Sequence, residues 1–158
     1  MTTRALDIDL EMMRTALTLA ERAAAEGEVP VGAVVYDSSS GEVLGTGLNR
    51  RENDRDPAGH AEFIAILEAC RAISDWRLNH LSLAVTLEPC PMCAGLIVNA
   101  RVGRVVYGAG DPKAGAVRTL YTLLEDDRLN HRAEVIPGVL ADESAELLRT
   151  FFRNLRRK

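Results

Sequence analysis

His60 and Glu62, two residues apart, are followed at a distance by Cys90 and Cys93 in the run Pro89-Cys90-Pro91-Met92-Cys93. One imidazole and two thiols suit a borderline-soft cation, and a carboxylate left over beside them is placed for proton transfer. That set describes a zinc site with three protein ligands and an open position. A purely structural zinc usually takes four protein ligands. The remaining cysteine, Cys70, would lie roughly 15 Å along a continuous helix from His60, too far to share an ion, and is read as a small buried residue. A redox Cys-x-x-Cys would leave His60 and Glu62 without a role.

The elements that must position these groups follow from local pattern. Cys90 and Cys93 are three apart, so on a helix both sulfurs aim the same way, and Pro91 suits its first turn. Thiols at a helix N-terminus are acidified by its unpaired N–H groups and dipole. His60 follows the turn signal Asp56-Pro57 and precedes the helically spaced Phe63, Ile64, Ile66 and Leu67, so it opens a second helix. Two helix ends are thus expected to meet at one ion, with Glu62 reaching the open side.

Elsewhere, Leu6, Leu10, Met13, Leu17, Ala20 and Ala24 trace the apolar stripe of a first helix ending near Gly27. Strands are expected at residues 31–36, 42–48, 81–87, 102–107 and 133–139, a short helix at 120–124, and a terminal helix at 143–156. A hairpin followed by strands alternating with helices predicts an α/β fold: a three-layer α/β/α sandwich around a five-stranded mixed sheet. Gly45, Gly47 and Asn49 do not form a dinucleotide-binding motif, because no third glycine follows and no helix opens there.

With 158 residues, 47% hydrophobic and only 4% aromatic, the chain is read as one domain, 1–158, with an aliphatic core that buries roughly two thirds of the unfolded surface. Three cysteines, two assigned to metal, argue for a reducing compartment. Met1 to Leu10 carries acidic residues and no signal-type apolar run, and no stretch approaches a membrane span, so no membrane association and a cytoplasmic location are expected. A net charge of -4 gives no global attraction to nucleic acid, although Arg149, Arg153, Arg156, Arg157 and Lys158 crowd the last turns.

The His60-Ala61-Glu62 and Thr86-Leu87-Glu88-Pro89-Cys90-Pro91-Met92-Cys93-Ala94-Gly95 segments resemble the cytidine deaminase superfamily, whose zinc enzymes carry this paired signature. The chain is similar in particular to bacterial tRNA adenosine deaminases. That likeness runs through residues 28–34, Asn49-Arg50, residues 103–107, Asp111-Pro112-Lys113, Asn130-His131-Arg132 and Phe151-Phe152-Arg153. The resemblance implies one zinc ion per subunit held by His60, Cys90 and Cys93, Glu62 as proton shuttle, a homodimer, and a tRNA anticodon stem-loop as substrate. It further implies that Asn49 hydrogen-bonds the target nucleoside, that Asp111, Lys113 and Asn130 lie in loops near the RNA, and that Phe151 and Arg153 contact it from the terminal helix. Two positions depart from the family: Gly59, commonly alanine, and Arg118-Thr119, where Gly-Ser is frequent. An added arginine suits a phosphate partner.

The expected reaction is hydrolytic deamination at C6 of a wobble adenosine, with Glu62 as base toward the attacking water and acid toward N1 and the departing ammonia. Two thiolates neutralise the formal charge of Zn²⁺, so water activation requires such a base. A splayed loop base also needs less unstacking than a duplex base. The alternative within the superfamily is a deaminase of a free base or nucleoside, of guanine or cytosine type. Asn49 and Asp111 are equally suited to plain turn formation, and Leu148, Phe151 and Leu155 to facing the core while the terminal arginines form a solvated face.

Overall fold

The computed structural model describes residues 4–158, so the first three residues of the Met1–Leu10 stretch lie outside the described residues. Four helices and five strands follow in the order α1 (Asp7–Ala25), β1 (Gly32–Tyr36), β2 (Val43–Leu48), α2 (Ala61–Ile73), β3 (Ser82–Leu87), α3 (Pro91–Asn99), β4 (Arg104–Ala109), β5 (Glu134–Ile136) and α4 (Ala141–Arg156). The strands form one sheet in the order β2-β1-β3-β4-β5. β1 runs antiparallel to both β2 and β3, with β1 opposing β3 from Ala33↔Val85 to Tyr36↔Ser82. β3, β4 and β5 are parallel to one another. The expected mixed five-stranded sheet is therefore present.

Alternation along the strands makes the layers. Ala33, Val35, Leu83, Val85, Val105 and Tyr107 pack with Ala61, Ala65, Ile66 and Ala69 of α2 and Ala94 and Ile97 of α3. Their strand neighbours Val34, Tyr36, Ala84, Val106 and Ile136 pack with Met12, Met13 and Ala16 of α1. Successive side chains leave opposite faces of a strand, so one sheet carries two apolar cores.

Gly45 and Gly47 of β2 have a packing reason. A Cβ on Gly45 would stand 2.2 Å from the carbonyl oxygen of Ala65, and one on Gly47 2.2 Å from that of Ala61. Only glycine lets the strand lie this close to α2, whose first residue follows His60.

Several boundaries differ from the sequence reading. The buried face of α1 is Asp9, Met12, Met13, Ala16, Ala20 and Ala23, while Leu10, Leu17 and Ala24 are half-buried and Leu6 is exposed. The expected stripe shares Met13 and Ala20 with this face, whose centre is rotated toward Asp9, an acidic residue buried because its hydrogen bonds replace water. Asp9 accepts from the backbone N–H of Leu6 (2.6 Å), from Tyr36 Oη (2.6 Å) and from both terminal nitrogens of Arg104. Residues 120–124 form a bend and the start of a turn, not a helix. The fifth strand is shorter than expected, Glu134–Ile136. In α4 only Ser144 is fully buried; Leu148 and Phe151 are half-buried and Leu155 is 54% exposed, so the apolar side of this helix is incompletely covered.

Candidate active site

His60 and Cys90 occupy equivalent positions on different helices. Each is the extended residue immediately before a helix, His60 before α2 and Cys90 before α3, with Pro91 in the first turn of α3 and Cys93 one turn in. The sheet brings these two N-termini together. His60 Nδ1 lies 3.6 Å from Cys90 Sγ and 3.5 Å from Cys93 Sγ, and the three ligand atoms all fall within 4.8 Å of one another. Tetrahedral zinc with usual Zn–S and Zn–N lengths needs an N···S separation of about 3.6 Å. The donor set and its spacing therefore fit that ion, and Cys70 is not among the converging groups. Cys70 is half-buried rather than buried, with Sγ 3.8 Å from the Trp76 carbonyl oxygen.

The electrostatics suit a cation. Donation from Cys93, burial notwithstanding, and the facing imidazole hold the Cys90 thiol down to about 4. Sharing that hydrogen bond with the Cys90 sulfur, together with burial, pushes Cys93 up. The two sulfurs thus pull each other's acidity in opposite directions, and a divalent cation would make two thiolates compatible at this distance. His60 is raised, chiefly by its hydrogen bond with Cys90. Glu62, in the first turn of α2 and 4% exposed, is raised by burial, which favours a carboxyl group that takes and returns a proton.

A cavity of about 210 Å³ opens over these groups, lined by His60, Glu62 and Cys90 and, around them, by Val29, Asn49, Leu87, Glu88, Asp111 and Ala114. It lies past the carboxyl ends of the parallel strands β3 and β4, where open α/β sheets commonly place ligands. Asn49 and Asp111 both line it, and both also act as turn formers. Asn49 Oδ1 accepts from the Arg51 N–H (3.1 Å) and its Nδ2 donates to Val29 O (3.2 Å), while Asp111 Oδ1 accepts from the N–H groups of Lys113 (3.0 Å) and Ala114 (3.2 Å). Forming the turns and lining the cavity are compatible in one geometry.

The other expected RNA-facing residues lie apart from the cavity. Lys113 is exposed on its loop, Asn130 borders a shallow pocket with Phe63, Met92 and Leu96, and Phe151 lines a groove between α1 and α4 while Arg153 projects into solvent. Gly59 is buried, and a Cβ there would sit 3.1 Å from Asp56 O, so alanine would require small adjustments. Arg118 pairs with Glu125 at 2.8 Å, so its guanidinium already has an anionic neighbour.

Glu88 is the residue whose part the sequence did not disclose. It is 2% exposed and accepts from the N–H groups of Asp111, Val117, Arg118 and Thr119 at 2.7–3.2 Å and from the Thr119 hydroxyl. Burial pushes its carboxyl up, and these donors outweigh it and hold the group below the usual range. Its position within the zinc motif was the only available signal.

Comparison with known proteins agrees with the geometry. Residues 8–156 match the MafB19-like deaminase family. A tRNA-specific adenosine deaminase of Bacillus subtilis (strain 168) is 49% identical over 92% of this chain and 89% of its own, and one of Haemophilus influenzae is 45% identical over 95% and 86%. A solved structure from work on A-to-I editing by tRNA:A34 deaminases at the wobble position of transfer RNA superposes with a TM-score of 0.82 at 41% identity, covering 87% of this chain and 99% of that one. On similarity of this extent, the chain belongs to the MafB19-like deaminase family and stands within it among the tRNA-specific adenosine deaminases.

Proposed function

We propose that residues 1–158 act as one zinc-dependent deaminase domain that converts adenosine to inosine at the wobble position of a tRNA anticodon loop. The observation that carries the chemistry is the meeting of His60 Nδ1 and the two sulfurs beside a buried carboxylate at the floor of a small open cavity. The names of the close relatives support the substrate. In this reading His60, Cys90 and Cys93 hold one Zn²⁺, which when bound acidifies water near neutral pH and stabilises developing negative charge.

The chain's own residues do the rest. Glu62 takes a proton from the water that attacks C6 and places it on N1. The C6–N bond then breaks as Glu62 passes the remaining hydroxyl proton to the leaving amino nitrogen, so water and adenine give ammonia and hypoxanthine with no net proton change. Asn49 and Asp111 hold the nucleoside at the rim, and the apolar Val29 and Leu87 exclude bulk water from its base. Lys113, Asn130, Phe151 and Arg153 contact the RNA outside the cavity.

Met92 and Leu129, 37% and 41% exposed, border one shallow pocket with Phe63, Leu96 and Val98, and Met92 lies between Cys90 and Cys93; an apolar surface of this kind suits a homodimer interface. Light scattering tests it. No helix among the described residues is long and apolar enough to cross a membrane, and we place the reaction in the cytoplasm, where tRNA substrates are found.

The deciding experiment combines zinc stoichiometry with an inosine assay on anticodon stem-loops, run beside free nucleosides and bases. One zinc per chain and inosine formed on the stem-loop is the expected result. Turnover of free guanine or cytosine with none on the stem-loop would replace this substrate with a small one.

A further inference from the structure

We infer that Glu88 is a positioning residue that builds the substrate-side wall of the cavity, holding Asp111 and Ala114 in place and thereby setting affinity for the nucleoside more than the rate of its chemistry. The loop between β4 and β5 has no helix or strand of its own, so its shape must come from outside it. Glu88 supplies an external template. Four backbone N–H groups and the Thr119 hydroxyl converge on its one carboxylate, and they belong to both ends of the segment from Asp111 to Thr119.

The charge and its donors depend on each other. Among the described residues no lysine or arginine forms an ion pair with Glu88, and a buried carboxylate without a cation is tolerated only when hydrogen bonds replace its water. A glutamine would turn an N–H₂ group toward N–H donors. Gly115 gives an independent sign of the same fit: a Cβ there would stand 2.0 Å from Glu88 Oε2. Its φ is not in the left-handed region, so close approach of the carboxylate and of the Asp111 carbonyl oxygen, at 2.7 Å from that Cβ, is what requires glycine.

The placement gives the template its consequence. Glu88 follows β3 directly and precedes Cys90 by two residues, and Ala116 N–H donates to the Pro89 carbonyl at 2.9 Å. The wall that carries Asp111 is thus bonded to the same short strap that presents a metal ligand. Cavity wall and ligand are kept in register by one segment of chain.

The inference rests on the deaminase reading for its kinetic meaning, but not for the loop geometry. The full-length zinc-loaded protein and its Glu88→Gln, Glu88→Asp and Thr119→Val variants would be compared by zinc content, by amide hydrogen exchange over residues 111–119, and by kcat and KM for inosine formation on a stem-loop. For Glu88→Gln, zinc content is expected to stay at one per chain and loop exchange to rise about tenfold. KM should rise about tenfold while kcat changes by less than about threefold. Glu88→Asp, which keeps the charge, should recover part of the KM. Unchanged loop exchange would overturn the inference whatever the activity, and so would a fall in kcat at constant KM or a loss of zinc. Should Glu88→Gln not fold, Thr119→Val removes one donor and no charge, and the same exchange and KM readouts, expected near threefold, decide it. A wild-type protein with a protected loop and no inosine formation would defeat the deaminase reading alone, leaving the exchange measurement to judge Glu88.

Discussion

Glu62 has a neighbour on each side that a bystander carboxylate would not need: the converging donors of His60, Cys90 and Cys93, which could hold a metal ion, and the open cavity whose wall it shares. Burial raises its pKa, which narrows the gap between its acid and base forms at working pH. Replacing it with alanine should leave zinc content unchanged and lower kcat by roughly 10²–10⁴-fold, the range removed with a general acid-base group. Metal analysis and single-turnover inosine formation check both halves, and full activity in a zinc-loaded Glu62→Ala protein would end the assigned role. This cluster was legible in sequence because its donors are ordered by spacing: Cys90 and Cys93 lie on one turn, and a turn signal precedes His60. Glu88 was not legible, since its partners are backbone amides up to 31 residues away, which no side-chain pattern records.

At the scale of elements, the approach of β2 to α2 fixes where His60 sits. Gly47→Ala would force a Cβ against the Ala61 carbonyl. Overpacking of this kind costs about 1–3 kcal/mol and would displace the start of α2. Weakened zinc affinity together with a lower unfolding midpoint is the expected result, and a Gly47→Ala protein with wild-type zinc affinity would detach the strand from the site. The terminal helix makes a different prediction. Its basic groups include exposed Arg153, with no carboxylate partner among the described residues. Arg153→Ala should weaken stem-loop binding and flatten its salt dependence by about one unit of slope, read from affinities at several salt concentrations. The short helix expected at 120–124 does not form. Leu120 N–H turns back to Gly115 O and Leu123 N–H to Ala116 O, because the segment before it is already committed to Glu88.

Across the whole molecule, one buried network joins the first helix to the sheet. Asp9, fully buried, receives Tyr36 from β1 and Arg104 from β4, and Arg104 also meets Glu134 of β5 at 3.2 Å. Burial raises the Asp9 carboxyl, but its bonds to Arg104, Tyr36 and Leu6 prevail and hold it below the ordinary 3.8. Burial and the hydrogen bond to Asp9 push Tyr36 above its ordinary 10.0. A depressed carboxyl contributes stability that is complete above its unfolded pKa and is lost as pH falls through the folded one. A raised phenol contributes stability that is complete below its unfolded pKa and is lost as pH rises through the folded one. The network should therefore stabilise the fold between about pH 4 and 10 and fade at both ends. Denaturant unfolding across pH would show it: Tyr36→Phe should remove the alkaline loss and keep the acid one. Asp9→Ala, which leaves the buried Arg104 with the exposed Glu134 as its remaining carboxylate partner, should cost about 3 kcal/mol at neutral pH.

The sequence by itself pointed to His60, Cys90 and Cys93 as donors and Glu62 as the carboxylate beside them, and to the order of the main elements and the mixed sheet, because helix starts, the Cys-x-x-Cys turn and strand alternation are each written in local spacing. Tertiary structure decided what depends on distant chain meeting distant chain. It aligned two helix N-termini until His60 Nδ1 stood 3.5 Å from Cys93 Sγ, set the phase of α1 by burying Asp9 against Arg104, and wrapped an irregular loop around Glu88. Local spacing states which side chains share a face. Only packing states which face it meets.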